Sequence, residues 1–149
     1  MPLPFLATQL DALLDGETNL IANLSNASAL LNQNLSDINW VGFYLYDQKQ
    51  QTLHLGPFQG KVACMHIPLG SGVCGTSALN KKILRVANVH EFDGHIACDS
   101  ASNSEIVIPL IKDGKLLGVL DIDSPSFNRF SAQDEEILKA FVLVLLKHI

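Results

Sequence analysis

The chain has 149 residues and a formal net charge of -5, with 48% hydrophobic and 17% charged residues. This length and composition predict one globular domain, residues 1–149, and exclude a disordered chain. A negative net charge without a Lys/Arg run argues against nucleic acid or an anionic membrane as partner.

The compartment can be predicted from what the sequence carries and lacks. The longest apolar run, residues 140–146, is too short to cross a bilayer, and the first residues lack the features of a secretory signal. Three cysteines are an odd number without the density of a disulfide scaffold, which favours a reducing compartment. We therefore expect a cytoplasmic protein with no membrane contact.

Two helices are predicted at the start of the chain. Leucines recur at helical spacing up to Gly16, and Thr18 is a candidate N-cap for a second helix. The apolar positions expected to face the core are Leu6, Leu10 and Leu13 in the first helix and Leu20, Leu24, Ala27 and Leu31 in the second.

A hairpin is predicted next, because the apolar period changes to two at Trp40. Residues 40–46 alternate as a half-buried strand, a polar turn follows at 47–51, and residues 52–55 form the antiparallel partner. The dipeptide Gly56-Pro57 is expected to end this ladder.

The remaining elements complete a mainly antiparallel sheet. Short strands are predicted at 66–68 and 83–89, a short helix at 73–79, and two clear strands at 105–111 and 116–123 joined by Asp113-Gly114. Ser131 with Asp134 forms a capping box for a last helix. Helices combined with hairpins rather than crossovers predict an α+β fold with helices packed on the sheet.

Three carboxylates are candidates for one site. Asp121 and Asp123 point to the same face of their strand about 7 Å apart, and Glu105 begins the hairpin partner. A strand end meeting water would explain one acid; for two acids in register within so apolar a segment, a strand end and a site are equally good explanations. Clustered carboxylates bind a cation or share a proton, which suits a substrate carrying an ammonium group and a polar oxygen.

The cysteines allow three interpretations. Cys64 has the surroundings of a buried, inert thiol. Zinc binding would use the set Cys64, Cys74 and Cys98 with His66 or His95, but no Cys-x-x-Cys spacing supports it. In the third interpretation, Cys98 is a redox nucleophile whose pKa a protonated His95 would lower and Asp93 and Asp99 would raise.

Trp40 and Tyr44 lie on one strand face, where core packing is the default role. The alternative is an aromatic wall for a methyl-sulfur group. His54 is expected at the surface or in a cross-strand contact, and His148 is expected in solvent.

Six segments together resemble free methionine-R-sulfoxide reductase, an enzyme family built on a GAF domain. They are residues 39–44 (Asn-Trp-Val-Gly-Phe-Tyr), 56–61 (Gly-Pro-Phe-Gln-Gly-Lys), 72–75 (Gly-Val-Cys-Gly), 94–99 (Gly-His-Ile-Ala-Cys-Asp), 102–107 (Ser-Asn-Ser-Glu-Ile-Val) and 118–124 (Gly-Val-Leu-Asp-Ile-Asp-Ser). The resemblance covers nearly the whole chain and implies a GAF-like fold. One departure is Asn88, where family members often have an acid.

The resemblance also implies residue roles. Cys98 would attack the sulfoxide of free methionine-R-sulfoxide, and Cys74, or alternatively Cys64, would form a disulfide with the resulting sulfenic acid. Thioredoxin would then restore the thiols, with no cofactor and no metal. The matching substrate-binding residues are Trp40, beside the methyl group, and Glu105, Asp121 and Asp123, which hold the amino group and polarise the oxygen.

Two further expectations concern the oligomeric state and an alternative class of function. Residues 140–146 are apolar on every side of the last helix, which predicts a homodimer interface. A different class of function also fits the family, a sensory GAF module whose acids hold a small cationic metabolite and whose cysteines are incidental or redox-sensing.

Overall fold

The computed structural model describes residues 3–95, 98 and 100–149. The elements in this part of the chain are α1 (Leu6–Leu14), α2 (Leu20–Asn34), β1 (Trp40–Asp47), β2 (Thr52–Gly60), β3 (His66–Pro68), α3 (Gly72–Asn80), β4 (Leu84–Val86), β5 (Ser104–Lys112), β6 (Lys115–Ser124) and α4 (Ala132–Leu145). Short 3₁₀ turns precede α1 at Leu3–Phe5 and follow β4 at Val89–Glu91.

The six strands form one sheet in the order β3-β2-β1-β6-β5-β4, and all neighbouring strands are antiparallel. The predicted α+β class with an antiparallel sheet is therefore confirmed. Helices α1, α2 and α4 pack together and cover one face of the sheet, whereas α3 lies against β3, β5 and β6 on the other face. Both faces are buried, which explains why β1 is buried at five consecutive positions instead of alternating.

The helices begin and face the core slightly differently from the prediction. The N-cap of α2 is Asn19 rather than Thr18, and its side chain accepts a hydrogen bond from the Ala22 amide at 2.9 Å. Leu14, not Leu13, belongs to the core: it is almost fully buried, while Leu13 is 47% exposed. Leu20 is also exposed, because it stands at the first position of its helix.

The prediction that Gly56-Pro57 ends the hairpin is wrong, because β2 continues to Gly60. Gly42 is opposite Phe58 and Tyr44 is opposite Leu55, so β2 has one extra residue at this point, a β-bulge. A bulge tolerates a proline, since the residue there need not donate to the ladder. The Pro57 carbonyl accepts a hydrogen bond from the Ser28 hydroxyl of α2 at 3.2 Å.

The second half of the chain follows its turn and cap signals closely. Asp113 and Gly114 both have positive φ, as a tight hairpin turn requires, and join β5 to β6. Ser131 and Asp134 form the predicted capping box of α4. The strand expected at 83–89 is shorter, since Asn88 instead caps the 3₁₀ turn by accepting from the His90 amide. None of the helices among the described residues has the length and apolarity needed to span a membrane.

Candidate active site

The predicted acids and the tryptophan lie on three neighbouring strands, on the sheet face that α3 covers. Trp40 of β1 is opposite Asp123 of β6, which is in turn opposite Glu105 of β5. Asp121 lies two residues before Asp123 and therefore points to the same face. The alternation argument from the sequence thus placed the acids correctly, and the pairing of β1 with β6 adds Trp40 beside them.

All three carboxyl groups lie in a region of low solvent access. Glu105 and Asp121 are 7% and 5% exposed. Burial is the main cause that raises the pKa of each acid, and the charge of Asp121 raises the pKa of Glu105 and of Asp123 further. The cluster therefore retains protons at a pH where an exposed carboxyl group would be fully ionised.

Two carboxylate oxygens in this cluster lack a hydrogen-bond partner. The Oδ1 atoms of Asp121 and Asp123 are buried and bond to none of the residues that the structure describes. A buried acceptor without a donor costs free energy, so these oxygens are expected to receive donors from a ligand. An ammonium group, with three N–H donors, has the matching chemistry.

Cys74 contacts the acids from α3, the helix that packs over this face of the sheet. It lies in the first turn of α3, is buried as a free thiol, and its Sγ donates to Oε2 of Glu105 at 3.8 Å. Burial, followed by the charges of Asp121 and Glu105, raises the thiol pKa well above its ordinary value. The ligand atoms of Cys74, Glu105 and Asp121 lie within 4.8 Å of one another, so by distance these three residues could also hold a metal ion.

The other two cysteines, Cys64 and Cys98, form a disulfide with a Cα–Cα distance of 5.4 Å. The Cys64 carbonyl accepts a hydrogen bond from the Tyr44 hydroxyl at 3.0 Å, which ties the loop before β3 to β1. The structure thus joins Cys64 to Cys98, whereas Cys74 was the partner of Cys98 favoured from the sequence. In this state the two bonded sulfurs are not thiolates, so the zinc interpretation loses two of its ligands.

Aromatic side chains form one wall of the site. Trp40 stacks on Tyr44 and on Phe58 with ring-centroid distances of 5.8 and 5.1 Å, and its Nε1 donates to the Lys61 carbonyl at 3.2 Å. The Tyr44 pKa is raised by burial and then by the charge of Asp121, so its hydroxyl stays protonated. The hydrogen bond from Tyr44 to the cysteine loop depends on the packing of that loop, and no sequence pattern signalled it.

One cleft brings these groups together. The described residues that line it are Trp40, Tyr44, Val62, Ala63, Ile67, Ser71, Gly72, Val73, Cys74, His95, Cys98, Ser102, Glu105, Asp121 and Asp123. Cys64 contributes through its bond to Cys98. His66 is not among the lining residues and instead contacts His54 on the edge of the sheet.

His95 lines the cleft with a lowered pKa, caused first by burial and then by His90. A neutral imidazole supplies no positive charge, so the structure does not favour His95 as the group that lowers the pKa of the Cys98 thiol. Asp99, one of the two acids predicted to raise the pKa of Cys98, lies outside the described residues, as do Ile96 and Ala97 of the same motif.

Comparison with known proteins agrees with this architecture. Residues 20–143 match the GAF domain family model. The chain is 56% identical over 137 residues to a protein of Escherichia coli named free methionine-R-sulfoxide reductase, covering 92% of this chain and 82% of that protein.

Two solved structures are similar to this chain over nearly its whole length. The reduced form of fRMsr of Staphylococcus aureus has a TM-score of 0.94 and 53% identity, covering 98% of this chain and 94% of that one. Free methionine-R-sulfoxide reductase from Neisseria meningitidis, in complex with its substrate, has a TM-score of 0.93 and 40% identity, covering 96% and 85%. The chain belongs to the GAF domain family and, within it, to the free methionine-R-sulfoxide reductases.

Proposed function

We propose that this protein reduces free L-methionine-(R)-sulfoxide to L-methionine, with Cys98 as the nucleophile. The observation that carries the proposal is that Cys98, three buried carboxyl groups and Trp40 line one cleft. Two related proteins of this fold bear the name of that activity at 40% and 56% identity. The activity makes the protein an oxidoreductase acting on sulfur.

The acids are proposed to bind and activate the substrate. The unpartnered oxygens of Asp121 and Asp123 would accept from the substrate ammonium group. Glu105, whose raised pKa keeps it protonated, would donate to the sulfoxide oxygen as a general acid. The indole of Trp40 would pack against the methyl-sulfur end of the substrate.

This arrangement supports selectivity for the free amino acid. A peptide-bound residue has an uncharged amide nitrogen with one hydrogen at most, so it would leave buried carboxylates without donors. Sites built on such buried polar contacts reject analogues that lack the matching group by large factors.

The proposed reaction has three steps. The Cys98 thiolate attacks the sulfoxide sulfur, and the oxygen passes to Cys98 with a proton, leaving methionine and a sulfenic acid. A second thiol then displaces the sulfenic oxygen as water and forms a disulfide. Thioredoxin, as a dithiol, reduces that disulfide and becomes oxidised itself.

We propose Cys64 as the resolving thiol. Its sulfur already lies at bonding distance from Cys98, and its loop is tied to β1 through Tyr44. Burial, followed by the charge of Asp121, raises the pKa of Cys74, the resolving thiol favoured from the sequence, and makes it a poor source of thiolate.

The proposal is tested by a coupled assay with thioredoxin, thioredoxin reductase and NADPH. We expect NADPH consumption with the free R epimer, little with the S epimer, and none with Cys98→Ser. If the parent protein turns over neither epimer yet binds the R epimer, the cleft is a ligand-binding site and the sensory alternative holds instead.

A further inference from the structure

Two imidazole rings face each other at the edge of the sheet, away from the cleft. His54 of β2 and His66, the first residue of β3, are direct partners in the antiparallel register. Their Nδ1 atoms are 2.7 Å apart and their rings are nearly perpendicular, at 89°. His66 is exposed and β3 is an edge strand, so this pair is open to solvent.

The outer nitrogen of one ring is fixed by a carboxylate. Nε2 of His54 lies 3.3 Å from Oδ2 of Asp47. Since a carboxylate accepts, Nε2 carries the proton when the ring is neutral, and the lone pair of the ring then lies on Nδ1, toward His66. Metal-binding histidines are typically oriented in this way, by a carboxylate on the nitrogen that does not contact the metal.

Asp47 is itself held in place by the turn that follows β1. Its Oδ1 accepts hydrogen bonds from the backbone amides of Lys49 and Gln50 at 3.0 and 3.3 Å. The carboxylate is therefore oriented before any ligand arrives.

We propose that His54 and His66 form a binding site for a divalent transition-metal ion. Two nitrogens bound to one metal at about 2.0–2.1 Å lie roughly 2.9–3.3 Å apart, so the rings need to separate by a few tenths of an ångström and to turn until both Nδ1 lone pairs point at the ion. Imidazole suits Cu²⁺, Ni²⁺ and Zn²⁺, with Cu²⁺ bound most tightly, and water would complete the coordination at this exposed position. The metal takes the place of the proton that the two Nδ1 atoms share without it.

Among the other described histidines, His90 and His95 have facing rings, but their centroids are 6.2 Å apart, compared with 4.8 Å for His54 and His66. Nε2 of His90 bonds to Oδ1 of Asn103, and Nε2 of His148 bonds to Oδ1 of Asp11 at 2.8 Å. His148 is a useful comparison, because it has a carboxylate partner like that of His54 but no facing imidazole. A site that needs both imidazoles should therefore be insensitive to its removal.

The test uses the disulfide form of the protein, so that the sulfurs of Cys64 and Cys98 are not available as thiolates. Calorimetric titration with Ni²⁺ and Zn²⁺ should give one ion per chain in the parent protein. Asp47→Asn should weaken binding roughly 10–100-fold by removing the orienting carboxylate, and His66→Gln at least as much. His148→Gln should bind like the parent.

Two further readouts identify the site independently of affinity. Cu²⁺ bound to the parent should show nitrogen hyperfine coupling in electron paramagnetic resonance, and that coupling should be lost in the His54→Gln/His66→Gln double variant. Saturating Zn²⁺ should raise the Tm of the parent and of His148→Gln but not of His66→Gln. The proposal is overturned by non-saturable binding, by an unchanged affinity in the double variant, or by binding that Glu105→Gln abolishes and His66→Gln leaves intact.

Discussion

Cys64 and Cys74 differ in the groups around their sulfurs, and in the proposed mechanism this difference determines which of them resolves the Cys98 sulfenic acid. Cys64 is bonded to Cys98, while Cys74 lies in the first turn of α3 with its thiol directed at Glu105. Burial, followed by the charge of Asp121, keeps the Cys74 thiol protonated, and a thiol attacks far more slowly than a thiolate.

We therefore expect opposite results from two single substitutions. Cys64→Ser should release about one equivalent of methionine per chain and then stop with thioredoxin, because Cys98 remains a sulfenic acid. Cys74→Ser should continue to turn over. Rapid-quench measurement of methionine distinguishes the two, and mass spectrometry of Cys74→Ser after substrate should find the disulfide between Cys64 and Cys98. Continuous turnover by Cys64→Ser and arrest of Cys74→Ser would reverse the assignment.

Glu105 should make stability depend on pH in a predictable direction. Its pKa in the folded chain is raised by burial first and by Asp121 second, above the value of 4.5 taken for an exposed glutamate. As pH rises above that value, the unfolded chain loses this proton while the folded chain retains it, so the folded state becomes progressively less stable until its own pKa is passed. Glu105→Gln cannot ionise and avoids this loss.

The expected result is a gain in Tm for Glu105→Gln over the parent that is larger at pH 8 than at pH 5. In a chain of this size, each 1 kcal/mol of stability gained shifts the Tm by about 2–4 °C. Glu136→Gln on the exposed side of α4 serves as the matched control and should show no such trend. Equal gains at both pH values would mean that Glu105 is not held protonated, and the general-acid role would lose its support.

At the level of the strands, Gly118 allows β6 to approach β1 closely. A Cβ atom at this position would lie 2.1 Å from the Tyr44 carbonyl oxygen and 3.0 Å from the Leu45 Cα. Both neighbours are backbone atoms in the centre of the sheet, so they cannot move aside as a side chain could. Only glycine fits here without shifting β1, the strand that carries Trp40 and Tyr44.

Gly118→Ala should therefore destabilise the chain by about 1–3 kcal/mol or more, as overpacking of a core does. Gly56→Ala is the control, since the nearest atom to its Cβ would be the Phe43 carbonyl oxygen at 3.0 Å, and it should cost clearly less. Urea unfolding measures both. Similar losses in the two variants would show that β1 adapts to the added methyl group.

The sequence predicted the elements whose signals are local and missed those decided by packing. The Asp113-Gly114 turn and the Ser131 capping box depend on a few adjacent residues, and both were predicted correctly. Continuation of β2 past Pro57 depends on a bulge opposite β1, which no local pattern reports. Leu14 replaced Leu13 in the core because the tertiary contacts of α1 fix its rotation about its axis.

The same distinction applies to the candidate site. Alternation along β6 and the hairpin to β5 were enough to group Asp121, Asp123 and Glu105, since strand geometry is regular. The partner of Cys98 was not predictable, because it depends on how two loops separated by 34 residues fold over the sheet. The bond from Tyr44 to the Cys64 carbonyl belongs to that same loop packing.

The whole molecule leaves an apolar surface between α4 and the β4–β5 end of the sheet. Leu143 projects from α4 with 59% of its area exposed, although Phe141 and Leu145 on either side are buried. The groove beside it is lined by apolar residues and two lysines: Lys81, Ile83, Ile108, Pro109, Ile111, Lys139, Val142, Leu143 and Leu146. The apolar character of residues 140–146 thus exceeds what the core of one chain uses, as the sequence had indicated.

Because an exposed apolar surface favours association, we expect α4 to form the interface of a homodimer. Light scattering at micromolar concentration should give twice the chain mass of 16.2 kDa. Leu143→Glu should shift the protein to the monomer, because it places a charge at the centre of the interface, whereas Lys139→Glu at the rim should weaken association less. The proposed active-site cleft lies on the opposite face of the sheet, so monomeric Leu143→Glu should keep its turnover with free methionine-R-sulfoxide. A parent protein that is monomeric under these conditions would contradict the role of α4.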